Sequence, residues 1–322
     1  MKKVLKCVGY ILLASTLLVF VVYAWHVMVI ESKTPLESAP LVSLFMKVDG
    51  EELAYRFVDN HSSTTILFVG GLSAWSGTWE RVTSVMNAKH PEYNYLAMDL
   101  PPFGYSSIDM QRPYFRDVQA RRISGLVQAL KLERLIVVAH SYGAGPSTEF
   151  VMQGSSQVVR LVIIDGVLNI DEVKPPHTFG IVDVAPLRSV LLGVLVHNES
   201  FATSRLKSFV HITDNIDAPL MHTYMRYFDT KGTTQRLSSW LRDYVADPLG
   251  DMSTKSEQYK KLTIPVRLIW GVEDTITPLS ETHILLESIP DVSLHALPGI
   301  GHIPMIENYA VFDDALLNAI EK

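Results

Sequence analysis

Cysteine is almost missing from this chain: Cys7 is the only one among 322 residues, so no intramolecular disulfide can form and the fold must rest on its core. No cysteine and histidine spacing suits a structural zinc site, and there is no glycine-rich phosphate loop and no internal repeat. Strong net charge is missing as well. The formal charge is −6 and no basic run follows the one long apolar segment, which argues against nucleic acid as a partner. Within that segment, from Cys7 to Ile30, there is no Asp, Glu, Lys or Arg at all.

That uncharged run, preceded by Lys2, Lys3 and Lys6, reads as a membrane span. About two dozen residues at about 1.5 Å each make a helix of about 36 Å, enough to cross a hydrocarbon layer of about 30 Å with some tilt. A cleaved signal peptide is the competing reading, but its apolar region is usually about 7 to 15 residues and ends in an Ala-x-Ala-like site. Here Ala24 is followed by Trp25 and His26, and bulky residues continue to Ile30, which favours an uncleaved signal anchor. Lysines before the span, against the mixed stretch Glu31 to Glu37 after it, place the N-terminus in the cytoplasm and the remaining chain on the exoplasmic or periplasmic side. Cys7 is an apolar span residue; Val4-Leu5-Lys6 before it lacks the small residues of a lipoprotein site.

The most informative residues lie further on. Ala139-His140-Ser141-Tyr142-Gly143 sets a serine between two small residues just after the apolar run Leu135-Ile136-Val137-Val138. A sharp strand-to-helix turn of this kind, a nucleophile elbow, exposes the central side chain above a sheet, and only small flanking residues let the backbone fold back so tightly. The backbone N–H of Tyr142 then points at whatever Ser141 attacks. Alone, the same five residues read equally well as a serine N-cap of an ordinary helix. A serine hydroxyl needs a base to take its proton and a carboxylate to orient that base. Trp270-Gly271-Val272-Glu273-Asp274 ends one strand candidate and Gly299-Ile300-Gly301-His302 follows the next, so Asp274 and His302 complete the chain order Ser, Asp, His. Each has a plainer reading, Asp274 as a helix cap near Pro278 and His302 as a solvated helix start. Glu273 and Asp165 are the reserve acids.

With these residues in place the chain resembles the α/β-hydrolases, over nearly everything from about Leu41 to the C-terminus. Phe68-Val69-Gly70-Gly71-Leu72 resembles the family's His-Gly-x segment, with Gly70 in place of the histidine, and by that resemblance the N–H of Leu72 is the second oxyanion donor beside Tyr142. Asp99 to Ser106 resembles its Asp-x-x-Gly-x-Gly-x-Ser loop, with Pro102 replacing the first glycine. The family's dehalogenases and epoxide hydrolases carry an aspartate at the elbow; position 141 is serine, so the resemblance implies an acyl-enzyme route. Such a hydrolase needs no metal and no organic cofactor. The resemblance implies a carboxylic ester, or related acyl bond, of an apolar small molecule or lipid as substrate. A carbon–carbon bond hydrolase, a transferase or haloperoxidase-like enzyme, and a ligand receptor of the same fold are the alternatives.

The remaining pattern is α/β. Extended candidates at Val42 to Val48, Leu53 to Val58, Thr65 to Val69, Tyr95 to Met98, Leu135 to Ala139, Leu161 to Ile164, Val266 to Ile269 and Val292 to Leu297 predict a mostly parallel eight-stranded sheet flanked by helices. Asp49-Gly50 signals a hairpin between the first two. Ile123, Leu126, Val127 and Leu130, and later Phe312, Ala315, Leu316 and Ala319, fall at helical spacing and are core stripes. The expected organisation is a transmembrane signal anchor over 1–30, a linker over 31–40, an α/β core over 41–166 and 262–322, and a helical cap inserted over 167–261. In the cap, Ser189 to Val196 is too short to span a bilayer and is read as buried, or else as a membrane-facing or acyl-binding surface. Phe179, Phe201, Phe209, Tyr224, Tyr227, Phe228, Trp240 and Tyr244 are candidates to line a pocket or to pack the cap. His177, His197, His211 and His222 are read as surface or packing residues. One of Trp75 and Trp79 is a candidate for the pocket edge, with Trp79 the better candidate for packing a helix.

Overall fold

The computed structural model describes residues 2–321 apart from 108, 110 and 174–179, so His177 and Phe179 lie outside the described residues. Eight strands, β1 (Leu44–Val48), β2 (Glu51–Val58), β3 (Thr64–Val69), β4 (Asn94–Met98), β5 (Arg134–His140), β6 (Val158–Ile164), β7 (Val266–Gly271) and β8 (Val292–Leu297), form one sheet in the order β1-β2-β4-β3-β5-β6-β7-β8. β2 runs antiparallel to β1 and β4, and the other pairs are parallel. Asp49 and Gly50 both take positive φ, 49° and 84°, the turn that matches strand twist in a two-residue hairpin.

Period-two alternation explains why the central strands read as continuous apolar runs. Leu67, Val69, Val137 and Ala139 face one core, shared with Ile123, Leu126 and Val127 of the helix Arg116–Ala129. Ile66, Phe68, Ile136 and Val138 face the other, shared with Phe312, Ala315 and Leu316 of the helix Tyr309–Glu321. Both faces are covered, so positions 66–69 and 135–139 are hydrophobic without a break. The edge strand β8 differs: Ser293 and His295 are exposed, because only one side of its face is covered.

β3 pairs with β4 on one side and β5 on the other, so the chain reverses its winding direction there. The carboxyl ends of β3 and β5 open a crevice at this switch point, where α/β sheets bind ligands. Between β6 and β7 lie the helices Ala185–Val196, Glu199–Lys207, Ala218–Met225 and Thr233–Ala246. Among the described residues one helix is long and apolar enough to cross a membrane: Lys6–Ile30, 25 residues with a mean hydropathy of 2.3, none of its most apolar window buried. The stretch expected as a linker is tied down. Glu31 is buried and accepts the N–H of Thr234 at 2.9 Å, and Lys33 pairs with Thr230 and accepts the N–H of Lys231.

Candidate active site

The elbow is visible in the backbone. Ser141 leaves β5 with φ of 51°, in the left-handed region that non-glycine residues occupy only when the surroundings enforce it. It then enters the short turn Ser141–Gly143 and the helix Ala144–Met152. Gly143 must be glycine because an added Cβ would stand 2.5 Å from the carbonyl oxygen of Gly70. Gly71 presses on the serine itself, its missing Cβ falling 2.7 Å from Ser141 Cβ. At Gly70, where the family has histidine, a Cβ would meet Ala74 Cβ at 2.6 Å, so this loop is closed too tightly for any side chain.

Ser141, Asp274 and His302 come from the ends of β5, β7 and β8 and meet in a buried cluster, 5%, 5% and 3% exposed. The Ser141 hydroxyl donates to His302 Nε2 at 2.8 Å, and His302 Nδ1–H donates to Asp274 Oδ2 at 2.8 Å. Asp274 is itself held from four directions, by Thr277 Oγ1 at 2.7 Å on Oδ2, by the N–H groups of Ile276 and Thr277 at 2.7 and 3.0 Å on Oδ1, and by His302. Burial works against its charge, but the hydrogen bonds from His302 and Thr277 outweigh it and hold the carboxyl below the usual range.

The two reserve acids are used differently. Glu273 accepts the N–H of Ile300 at 3.0 Å and so braces the loop that carries His302. Asp165, fully buried at the end of β6, accepts the N–H of Gly271 at 2.8 Å, and burial together with the negative charge of Asp274 pushes its carboxyl well above the ordinary range. Burial and the neighbouring charge thus both favour its protonated form.

Leu72 follows β3 beside the serine, and its N–H has no acceptor among the described residues. Tyr142 begins the turn after the serine. Its ring is held edge-on against Phe103 and Trp240 at 5.8 and 5.6 Å, which ties the elbow to the helix Thr233–Ala246. His140 donates from Nε2 to the carbonyl of His302 at 2.8 Å, joining the two loops, and burial beside the His302 imidazole pushes it down to about 3, so it is neutral at ordinary pH.

Two residues were beyond sequence reasoning. Thr277 Oγ1 lies within 3.3 Å of His302 Nδ1 as well as on Asp274. Glu307 accepts N–H groups from Gly301 and Ile303 on either side of His302 and from His211 and Ile212, at 2.7 to 3.1 Å. A three-residue spacing from Asp274 hints at the first; for the second, the bonds to His211 and Ile212 cross nearly a hundred residues and leave no local signal.

Above the cluster lies a cavity of about 370 Å³. Its floor includes Leu72, His140 and Ile303, neighbours of the residues just described, and its roof comes from Leu192, Leu195 and the aromatic rings of the helices between β6 and β7. Phe201, Phe209, Tyr224, Phe228, Trp240 and Tyr244 line it, whereas Tyr227 is buried with Phe103 and Tyr105 in a separate core. Trp75 does not edge the cavity. It is buried under Arg56, whose guanidinium stands 4.9 Å over its ring, and Trp79 packs on Phe68 at 5.0 Å. His197 bonds the carbonyl oxygens of Gly193 and Phe228, a packing role, while His211 and His222 are exposed. Among the described residues, Arg205 is the one Lys or Arg side chain on the cavity wall, and no group of three or more metal-ligating side chains is assembled.

Comparison with known proteins agrees with this architecture. A family model described as the alpha/beta hydrolase fold matches residues 64–309, which include all three strand-end residues. The uncharacterized hydrolase YugF of Bacillus subtilis (strain 168) is 25% identical over 256 residues, covering 80% of this chain and 89% of that protein. A 2-hydroxy-6-oxononadienedioate/2-hydroxy-6-oxononatrienedioate hydrolase of Paraburkholderia phymatum is 24% identical over 277 residues, 84% of this chain and 91% of its own. Among solved structures, a membrane phospholipase A described as a bacterial virulence factor shares the fold, with a TM-score of 0.64 at 22% identity over 100% of both chains. Because the family match spans most of the sequence, and the sheet carries serine, acid and histidine on the ends of β5, β7 and β8, this chain belongs to the α/β-hydrolase fold family.

Proposed function

We propose that this chain is a membrane-anchored serine hydrolase that cleaves a carboxylic ester, or a related acyl bond, of an apolar small molecule or lipid through an acyl-enzyme. The observation that carries the reading is the unbroken relay from Ser141 through His302 to Asp274 beneath a largely apolar cavity. As Ser141 Oγ bonds to the substrate carbonyl carbon, its proton passes to His302 Nε2, and Asp274 stabilises the imidazolium. The oxyanion rests against the N–H groups of Leu72 and Tyr142. The imidazolium then protonates the departing alkoxide, and water repeats the cycle on the acyl-serine. The exposed apolar helix Lys6–Ile30 supplies the anchor, with the N-terminus in the cytoplasm and the hydrolase on the far side.

The hydrolases of ring-cleavage products among the relatives favour a second reading, hydrolysis of a carbon–carbon bond by the same residues. A dioate substrate brings two carboxylates, yet among the described residues Arg205 alone of the Lys and Arg side chains reaches this cavity wall, which supports the ester. A panel of p-nitrophenyl esters against such a dienoate separates the two. Ester turnover that falls about 10⁶-fold in Ser141→Ala supports the proposal. Consumption of the dienoate without ester turnover overturns it, as does a folded chain that never labels with a fluorophosphonate, the behaviour of a receptor.

A further inference from the structure

The apolar helix Ala185–Val196 touches both the membrane anchor and the cavity, and it leaves a third face bare. Its anchor side is marked by Gly193, where an added Cβ would lie 3.1 Å from Tyr23 of the span. Its cavity side carries Leu192, Leu195 and Val196. At about 100° per residue, Leu187 and Leu191 point outward between those two sides, and they are 41% and 43% exposed. Phe201, 40% exposed, continues the apolar surface at the cavity wall beside Leu195.

The position of this helix along the span sets its depth. Tyr23 is seven residues before Ile30, the end of the apolar segment, roughly 10 Å along a helix axis. An amphipathic surface helix sinks about 5 to 10 Å into the boundary between headgroups and acyl chains. No spacer intervenes, because Glu31 follows Ile30 directly and is buried against Thr234 on the helix Thr233–Ala246. The segment thus cannot swing the helix away from the leaflet without breaking the Glu31 and Lys33 contacts.

We infer that Leu187 and Leu191 rest in the outer part of the bilayer that holds the anchor, and that the cavity takes the acyl chain of a membrane lipid laterally, past Leu195 and Phe201. The lipid entry rests on the hydrolase reading above, and the membrane contact on the anchor that the same proposal assigns to the helix Lys6–Ile30. The bare apolar face is satisfied by lipid because the same helix is already in contact with the span.

Two measurements on the full chain in phosphatidylcholine vesicles test this. In a Cys7→Ser background, Leu191→Cys carrying an environment-sensitive fluorophore should be quenched by spin-labelled acyl chains, while Glu133→Cys on the exposed loop before β5 should not. Equal quenching at the two positions overturns the membrane contact. Leu187→Asp with Leu191→Asp should lower hydrolysis of vesicle phosphatidylcholine at least about tenfold, while turnover of a soluble short-chain p-nitrophenyl ester stays within about twofold. Equal retention of both activities, or their equal loss, overturns lateral entry. If the unaltered chain turns over neither an ester nor a lipid, the hydrolase reading and lateral entry both fall, and quenching alone decides whether the helix meets the bilayer.

Discussion

Replacing Asp274 by asparagine tests the relay at its acid, whose side chain is fully buried. The amide oxygen can keep the N–H groups of Ile276 and Thr277, now on Oδ1, so the turn that holds the residue survives. The amide nitrogen then occupies the place of Oδ2, facing His302 Nδ1 at 2.8 Å. Two donors cannot share that contact, so the imidazole moves its proton to Nε2, where it meets the Ser141 hydroxyl as a second donor instead of an acceptor. The base is thereby lost while every side chain stays in place. In a serine protease the equivalent change costs about 10⁴ in kcat, equal to about 5.4 kcal/mol of transition-state stabilisation at about 1.36 kcal/mol per tenfold. The same order is expected here because Asp274 is as deeply buried as that logic requires and water cannot substitute for it. The assay is hydrolysis of a p-nitrophenyl ester at saturation, paired with the rate of fluorophosphonate labelling and with thermal unfolding. An unfolding temperature within a few degrees of the parent, with turnover and labelling both reduced by about three to four orders, is the expected result. Turnover within about tenfold of the parent would refute the relay.

Further expectations concern the groups around it. Asp165 keeps its proton above the pH at which an unfolded carboxyl loses it, so its folded pKa is raised and the stability it contributes declines as pH rises from about 4. Asp165→Asn should therefore unfold at a higher temperature than the parent at pH 8 and at a similar one near pH 3.5; a difference independent of pH would contradict a neutral Asp165. Glu307→Gln can keep the three N–H groups on one oxygen but turns an amide donor toward the N–H of Ile303, at an expected cost of about 1 to 3 kcal/mol in denaturant unfolding, with kcat lowered through the displaced His302 loop. Gly70→Ala should destabilise by about 1 to 3 kcal/mol, because its methyl would meet Ala74 at 2.6 Å; unchanged stability would show that the loop has room for the family's histidine.

Local pattern determines a good deal of this molecule. The strands announce themselves because a residue buried on both faces must be apolar at every position, and the hairpin because Asp49-Gly50 suits two successive positive φ values. Ser141 and its glycine are legible because a tight elbow tolerates so few residue types, and the long apolar N-terminal helix is legible because its run carries no Asp, Glu, Lys or Arg. Only the folded chain assigns the carboxylates. Asp165, Glu273 and Asp274 all sit at strand ends, and which one meets His302 depends on where β6, β7 and β8 lie beside one another, a matter of sheet order set by packing far from the residues concerned. The tie from Glu307 to the N–H groups of His211 and Ile212, the cavity walls drawn from four separate helices, and the docking of Glu31 onto the helix Thr233–Ala246 are likewise long-range contacts. No short stretch of sequence encodes them, because each comes into being only when two cores have closed and brought distant backbone donors to a buried oxygen.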